Sequence, residues 1–411
     1  MNLKRYIAAA AALILAISSY AQDIRNEKIL KDWKFRKDHN YWASEGWQNV
    51  TVPHDWAIYS HPDKSNSIQD KGVYRHALEI SPGTLDGRRH ILYFDGAMSN
   101  AKVYINSREV YSWPHSCNAF WCDVTDFLKN GSNDIAVLLE KRALPSEMYS
   151  GAGLYRKVRH ITLPKVHIPI WGTYVTTPYV SEEYACVTIR TRVEGMPDGT
   201  PVTVKTSIKD ANGNVIVRKA DTRRLFQGEV QQQITVDSPE LWSPESPSLY
   251  RADTEIYAGA AIDVDNSGER PSVNMKEGKI LLDKATTEFG IRSIEIRPGK
   301  GFFLNGKMRK FQGVCLHNEL GPLGAAVNRT AIRHQLTILK DMGCDAIRAS
   351  HDIPADEFIE LCDEMGFMVI VENCNGEITR TWACRGDKGT QTACAWYMHW
   401  NAANVSLQRG G

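Results

Sequence analysis

Residues 311–372 read FQGVCLHNELGPLGAAVNRTAIRHQLTILKDMGCDAIRASHDIPADEFIELCDEMGFMVIVE, and strand and helix patterns alternate through them. Residues 311–316 are a short apolar run ending in His317-Asn318-Glu319. Residues 330–342 place Ile332, Leu336 and Leu339 on one helical face, with Gly343 as a C-terminal stop. Ala346-Ile347-Arg348 predicts a second strand, ending in Ser350-His351. Pro354 then opens a predicted helix with Phe358, Leu361, Cys362 and Met365 at helical spacing, and Gly366 stops it. Residues 367–371 form a third apolar run ending in Glu372. The order βαβαβ predicts a parallel sheet with helical crossovers. Polar and ionisable residues gather after each strand, where (β/α) barrels carry their active sites.

Outside this stretch, composition bounds the answer. The 411 residues are 43% hydrophobic, enough for roughly two to four domains with their own cores. Net charge is +1, from 49 basic and 48 acidic residues, and no lysine/arginine block is present, which argues against a nucleic-acid partner. At the N-terminus Lys4 and Arg5 precede an apolar run at 7–17 and a small-x-small site at Ser19-Tyr20-Ala21. That pattern predicts a signal peptide at 1–21 and an exported product, periplasmic or secreted, and the run is too short for a membrane span. The 9 cysteines contain no CxxC pair, so they read as buried thiols plus one disulfide rather than a zinc site.

Residues 22–165 show short alternating runs, such as 90–94 and 102–105, separated by Asp95-Gly96 and Asn106-Ser107. They predict a jelly-roll sandwich. Residues 166–295 predict an immunoglobulin-like sandwich, with runs at 186–193, 202–208, 215–218, 231–236 and 250–257 and a hairpin signal at Asn212-Gly213. Residues 258–276 lack periodicity and read as a surface loop. A complete (β/α)8 barrel takes about 250 residues, and the stretch patterned as one, 296–372, is about a third of that. The tail, 373–411, has no sustained period and is left unassigned. The predicted fold is multidomain and mainly β: two sandwiches, then the first three βα units of an incomplete TIM barrel.

Specific motifs in this order resemble glycoside hydrolase family 2, the family of β-galactosidases, β-glucuronidases and β-mannosidases. Val52-Pro53-His54-Asp55-Trp56 is similar to a VPHDW motif, and residues 149–156, YSGAGLYR, to YxG[AS]G[IL]YR. Leu241-Trp242-Ser243-Pro244 with Pro247-Ser248-Leu249-Tyr250 resembles the family's LWSP…PxLY connection. Phe289-Gly290-Ile291-Arg292 and Phe303-Leu304-Asn305-Gly306-Lys307 resemble FG[IF]R and FxLNGK. Residues 313–317 and 346–351 resemble the first two barrel strand ends, and GPLGAA at 321–326 favours the β-galactosidase branch. The sequence departs from the family at Glu147-Met148, where Arg-Trp is usual, at Asn318, where a second histidine is common, and after Glu372, where the quoted motifs stop.

The resemblance implies retaining hydrolysis of terminal β-galactosides, with a β-galactoside oligosaccharide or glycan as partner. It implies that His351 and Arg348 line a sugar subsite, with His351 donating to a sugar hydroxyl. For Arg348 a structural role fits equally well. His317 and Glu319 fit sugar contacts or loop and cap roles, Glu372 fits support of the barrel mouth, and His54-Asp55 fits packing. Retaining glycosidases need two carboxylates about 5 Å apart, which in this family are glutamates on later strands. The acid/base belongs to an Asn-Glu pair at the fourth strand, and no such pair follows Glu372. Both catalytic glutamates are therefore expected to be absent and the chain inactive alone, as the N-terminal part of an enzyme cut short by a frameshift, premature stop or fragment boundary. A carbohydrate-binding or assembly module, or a half-enzyme needing complementation, are the alternatives. No cofactor is identifiable; the resemblance implies that magnesium or sodium ligands, where full-length relatives have them, come from regions missing here. A homo-oligomer remains compatible with the sequence.

Overall fold

The computed structural model of the chain describes residues 24–38, 43–59, 70–141, 151–259, 262–265, 272–275, 277–350 and 353–371. The leader pattern, His351, Glu372 and the tail lie outside these residues.

The first sandwich contains strands β1 (Asn26–Ile29), β2 (Asp32–Arg36), β3 (Gln48–Thr51), β4 (Asp70–Ile80), β5 (Arg88–Phe94), β6 (Ala101–Ile105), β7 (Arg108–Trp113), β8 (Phe120–Asp123), β9 (Gly131–Lys141) and β10 (Val158–Pro164). A four-stranded sheet, β1-β10-β5-β8, faces a six-stranded sheet, β3-β2-β4-β9-β6-β7. The two-residue period of β2 turns Trp33 and Phe35 inward while Asp32 and Lys34 stay exposed. These side chains meet Trp56, Tyr74, Phe94 and Phe120 in one core, each contributing about 1.5–3 kcal/mol by burial.

The second sandwich packs a three-stranded sheet against a four-stranded one. The first holds β11 (Thr173–Val180), β12 (Tyr184–Arg192) and β15 (Glu229–Asp237); the second holds β13 (Pro201–Lys209), β14 (Val215–Arg224), β16 (Tyr250–Ala258) and β19 (Ile280–Phe289). Strand β15 shows the alternation cleanly: Val230, Gln232, Ile234 and Val236 are buried and their neighbours are not. The predicted hairpin joins β13 to β14. Gly213 has φ +83°, and the Asp210 carboxylate accepts from the backbone N–H groups of Asn212 and Asn214. The stretch read as a loop, 258–276, instead carries a two-stranded hairpin, β17 (Ile262–Asp265) with β18 (Ser272–Met275). Four-residue strands are too short for their period to register in the sequence. Strand β19 also escaped the sequence reading, because its exposed face breaks the apolar pattern.

A small antiparallel sheet of β20 (Ile294–Arg297), β21 (Gly301–Leu304) and β22 (Lys307–Met308) precedes the barrel strands. Strand β20 straddles the boundary read at 295/296. The parallel sheet then runs β23 (Gly313–Leu316), β24 (Ala346–Ala349), β25 (Met368–Val371), with Cys315, Arg348 and Ile370 in one register row. Helices α1 (Arg329–Asp341) and α2 (Asp356–Met365) cover one face. The Asn328 side chain accepts from Ala331 N at 3.0 Å, which caps α1. Pro354 does not open α2 as read; Ala355 is its cap and Asp356 its first residue. Ile332, Leu336, Leu361 and Cys362 bury against Ile347 and Val369. On the other face Ala346 and Met368 meet Phe302, Leu304 and Trp242, so the small sheet plugs the bottom.

The barrel unit is fastened to both sandwiches. Asp55 is 3% exposed. Its Oδ1 accepts from Ala57 N and Ala152 N, and its Oδ2 from Ala325 N, all at 2.9 Å. Ala152 and Leu154 of the YSGAGLYR stretch fill the first core, while Arg156 donates to Cys117 O at 2.9 Å and across the interface to Ile353 O at 2.6 Å. Lys157 pairs with the buried Glu357 at 2.7 Å. Arg159 bridges Asp95 and Asp356, and burial raises the Asp95 carboxyl to about 7. From the second sandwich, the fully buried Trp242 indole donates to Asp363 O at 3.0 Å, and Lys340 donates to Pro244 O at 3.1 Å and Gly366 O at 2.9 Å.

Asp55→Ala orphans three buried N–H groups and should cost roughly 3–5 kcal/mol. Limited proteolysis should then release fragments from 296–371 before the sandwiches are cut; parent-like resistance of that segment would contradict the fastening role. Separately, His160, whose Nε2 lies 3.0 Å from His90 Nδ1, has its pKa lowered from 6.5 to about 4, chiefly by burial. The unfolded chain binds the proton first, so stability present above about pH 6.5 should be lost as pH falls toward about 4, on the order of 2 kcal/mol. Thermal melts of parent and His160→Gln across that window should show a flatter pH dependence in the variant.

Candidate functional site

The C-terminal ends of β23, β24 and β25 form the candidate site. Alternation along parallel strands sends Val314, Leu316, Ile347, Ala349 and Val369 toward the helices. Cys315 and Arg348 fall on the opposite face, the inner one, where both are exposed. Arg348 Nη1 donates to Cys315 Sγ at 3.5 Å. A guanidinium there is held by its strand, not by a loop, and presents a planar fork suited to oxygen acceptors. Cys315, read as a buried thiol, is exposed, and all six described cysteines are free thiols. The two-residue period assigns Cys315 a face of its strand, but only the register between the strands sets it beside Arg348.

His317 follows β23 directly. Its Nδ1 lies 2.8 Å from Ser350 O, at the end of β24. A carbonyl only accepts, so Nδ1 carries the proton, and in the neutral ring Nε2 is the lone-pair nitrogen. His317 thus ties two strand ends together and has a defined tautomer. Arg348 and His317 are brought to the same end of the sheet. Glu319 is exposed in the following loop and makes no hydrogen bond or ion pair among the described residues. The structure therefore does not join it to the other two. His317 and Asn318 also border a cavity of about 30 Å3 on the helix side, against Tyr155 and Phe358. That is room for about one or two waters, not for a sugar ring.

His54 and Asp55 belong to packing, as the sequence reading had it. His54 Nδ1 lies 2.8 Å from Tyr74 Oη, its ring packs edge-on against Phe35, and burial lowers its pKa. Among the described residues no cluster of three His, Cys, Asp or Glu side chains is arranged to hold a metal ion. No helix among them is long and apolar enough to cross a membrane.

Comparison with known proteins bears on all three units. Family models match at residues 30–164 (glycosyl hydrolases family 2, sugar binding domain), 166–267 (glycosyl hydrolases family 2) and 294–406 (glycosyl hydrolases family 2, TIM barrel domain). The last match runs past Glu372, where the motifs legible by eye stop. The chain is 34% identical over 364 residues to a β-galactosidase of Bacteroides ovatus, covering 83% of this chain and 40% of that protein. It is 32% identical to a putative β-glucuronidase of Formosa agariphila, covering 85% of this chain and 32% of the other. A solved β-glycosidase from Bacteroides vulgatus superposes with a TM-score of 0.77 at 27% identity, covering 94% of this chain and 51% of that one. The chain spans less than half the length of these two curated relatives. Three family models in the family's order, over the sandwich, sandwich and parallel-sheet architecture described above, show that this chain belongs to glycosyl hydrolase family 2.

Proposed function

We propose that this chain supplies the two supporting sandwiches and one wall of the sugar pocket of an exported glycosidase acting on terminal β-galactosides. The observation that carries the reading is the juxtaposition of Arg348, on the inner face of the parallel sheet, with His317, bonded to the end of the next strand. Both sit where (β/α) barrels bind substrate. In this reading Arg348 and the following His351 hold sugar hydroxyls, and His317 keeps the strand ends in register. Glu319 is an outer contact. The reacting carboxylates are not among these residues. Retaining chemistry needs one carboxyl to protonate the leaving oxygen and another to attack the anomeric carbon. In this reading the chain by itself binds the sugar without turning it over.

A second reading is suggested by the Formosa agariphila relative named as a putative β-glucuronidase. A guanidinium such as that of Arg348 also suits a uronate carboxylate. Direct titration decides between them: the purified chain should bind an aryl β-galactoside more tightly than the matching aryl β-glucuronide, and the reverse order would favour the second reading. Arg348→Ala should weaken the preferred sugar about tenfold, equivalent to ~1.4 kcal/mol. Release of the aryl group by the chain alone would sink the proposal that it lacks its reacting carboxylates.

A further inference from the structure

A cavity of about 290 Å3 lies between the first and second sandwiches, and no barrel residue lines it. Its size is near the lower end of the ~300–1,000 Å3 typical of small-molecule sites. Two indoles form part of its wall. Trp121 stands on the outer face of β8, directly across from Tyr93 on β5, with the rings 6.2 Å apart and nearly parallel at 16°. Trp171 comes from the connection between the sandwiches and stands perpendicular to both rings, 4.9 Å from Trp121 and 6.1 Å from Tyr93.

The backbone holds Trp171 there in an unusual way. Its φ is +56°, a region that bulky side chains rarely adopt. The turn is closed by Gly172 N donating to Pro169 O at 2.8 Å. A Cβ on Gly172 would lie 2.7 Å from Pro169 Cδ, so the turn is too tight for any other residue. A bulky residue in this conformation, locked by the glycine beside it, points to a use for the indole at that spot.

Polar groups converge on the same cavity. On one side Arg89 pairs with Asp123 Oδ2 at 3.2 Å, both side chains partly exposed at 49% and 39%, while Asp123 Oδ1 accepts from the backbone N–H and hydroxyl of Thr125. On the other side Glu194, 45% exposed, lies 3.8 Å from the His167 ring, with Arg192 two residues before it. Partly open pairs of this kind keep donors and acceptors available to a ligand. Aromatic surface flanked by forked donors and carboxylate acceptors matches a pyranose, whose C–H face is apolar and whose rim is hydroxyl. Two guanidiniums against two carboxylates leave the cavity with no excess charge, which favours a neutral sugar over an acidic one.

We propose that this cleft is a second, non-catalytic carbohydrate site that takes a neutral pyranose unit of a glycan against Trp121 and Trp171, with Arg89, Asp123 and Glu194 reading its hydroxyls. It is separate from the barrel mouth and does not depend on which sugar that mouth takes. The test is titration of the full chain with lactose, cellobiose and methyl β-glucuronide, followed by calorimetry and tryptophan fluorescence. The expected result is binding of at least one neutral disaccharide with a fluorescence change. Trp171→Ala and Glu194→Gln should each weaken it about tenfold or more, Glu194→Gln with an unchanged melting curve, Trp171→Phe should recover most of the loss, and Arg348→Ala, which weakens lactose at the barrel mouth, should leave cellobiose binding intact. If Trp171→Ala does not fold, Glu194→Gln carries the test. The proposal is overturned by no binding of either disaccharide, by tighter binding of the glucuronide than of both disaccharides in Arg348→Ala, by parent-like binding in the folded cleft variants, or by loss of cellobiose binding in Arg348→Ala alone.

Discussion

The arrangement of this protein depends on one buried carboxylate. Asp55 accepts three backbone N–H groups from three separate parts of the chain: its own turn at Ala57, the glycine-flanked stretch at Ala152, and the barrel loop at Ala325. An ionised carboxylate taken out of water is tolerated only where such donors replace its hydration. The surroundings are built to let them approach. A Cβ on Gly151 would lie 2.7 Å from the Ala325 methyl and 2.9 Å from Asp55 Oδ2, and one on Gly153, at φ +125°, would lie 2.4 Å from His54 O. The stretch from Gly151 to Arg156 is therefore a joint: Ala152 and Leu154 are buried in the sandwich core, while Arg156 reaches the barrel unit.

That joint answers a physical difficulty of the parallel sheet. Among the described residues, three strands with two helices leave strand edges unpaired and the inner face open. Such a unit buries little on its own. Here its bottom is plugged by Phe302 and Leu304, its helices are pinned through Asp363, Lys340 and Glu357, and its first loop is held by Asp55. The sandwiches thus act as a platform that holds His317 and Arg348 in place. Most of these contacts end on backbone carbonyls or N–H groups, so they set position without restricting which side chains a site above them carries.

Much of the fold was legible in the sequence. The stretch from Phe311 to Val371 announced its strands and helices because apolar residues recur at the period of the element that buries them. Of the sandwich strands, β5, β6, β12, β13, β15 and β16 were legible for the same reason, whereas β14 runs on to Arg224, well past the 215–218 read for it. Strands β11 and β19 and the β17–β18 hairpin were missed, the strands because their apolar positions are irregular and the hairpin because four residues carry almost no period. For the site, the residues after β23 and β24 were identifiable as candidates from strand ends and motif resemblance. Their relations were not: nothing local says that His317 bonds to Ser350, or that Cys315 rather than an acid stands beside Arg348.

By itself, then, the sequence determined the architecture, the family and the strand ends that carry polar groups, because periodicity and motif order are properties of neighbouring residues. Only the tertiary structure decided that Asp55 is a clamp between units, that Glu319 bonds to neither His317 nor Arg348, and that Trp121 and Trp171, 50 positions apart in the numbering, share one cavity wall. Those outcomes depend on backbone N–H groups and on packing across hundreds of residues, and a backbone donor is the same in every residue but proline, so no residue type marks it in advance.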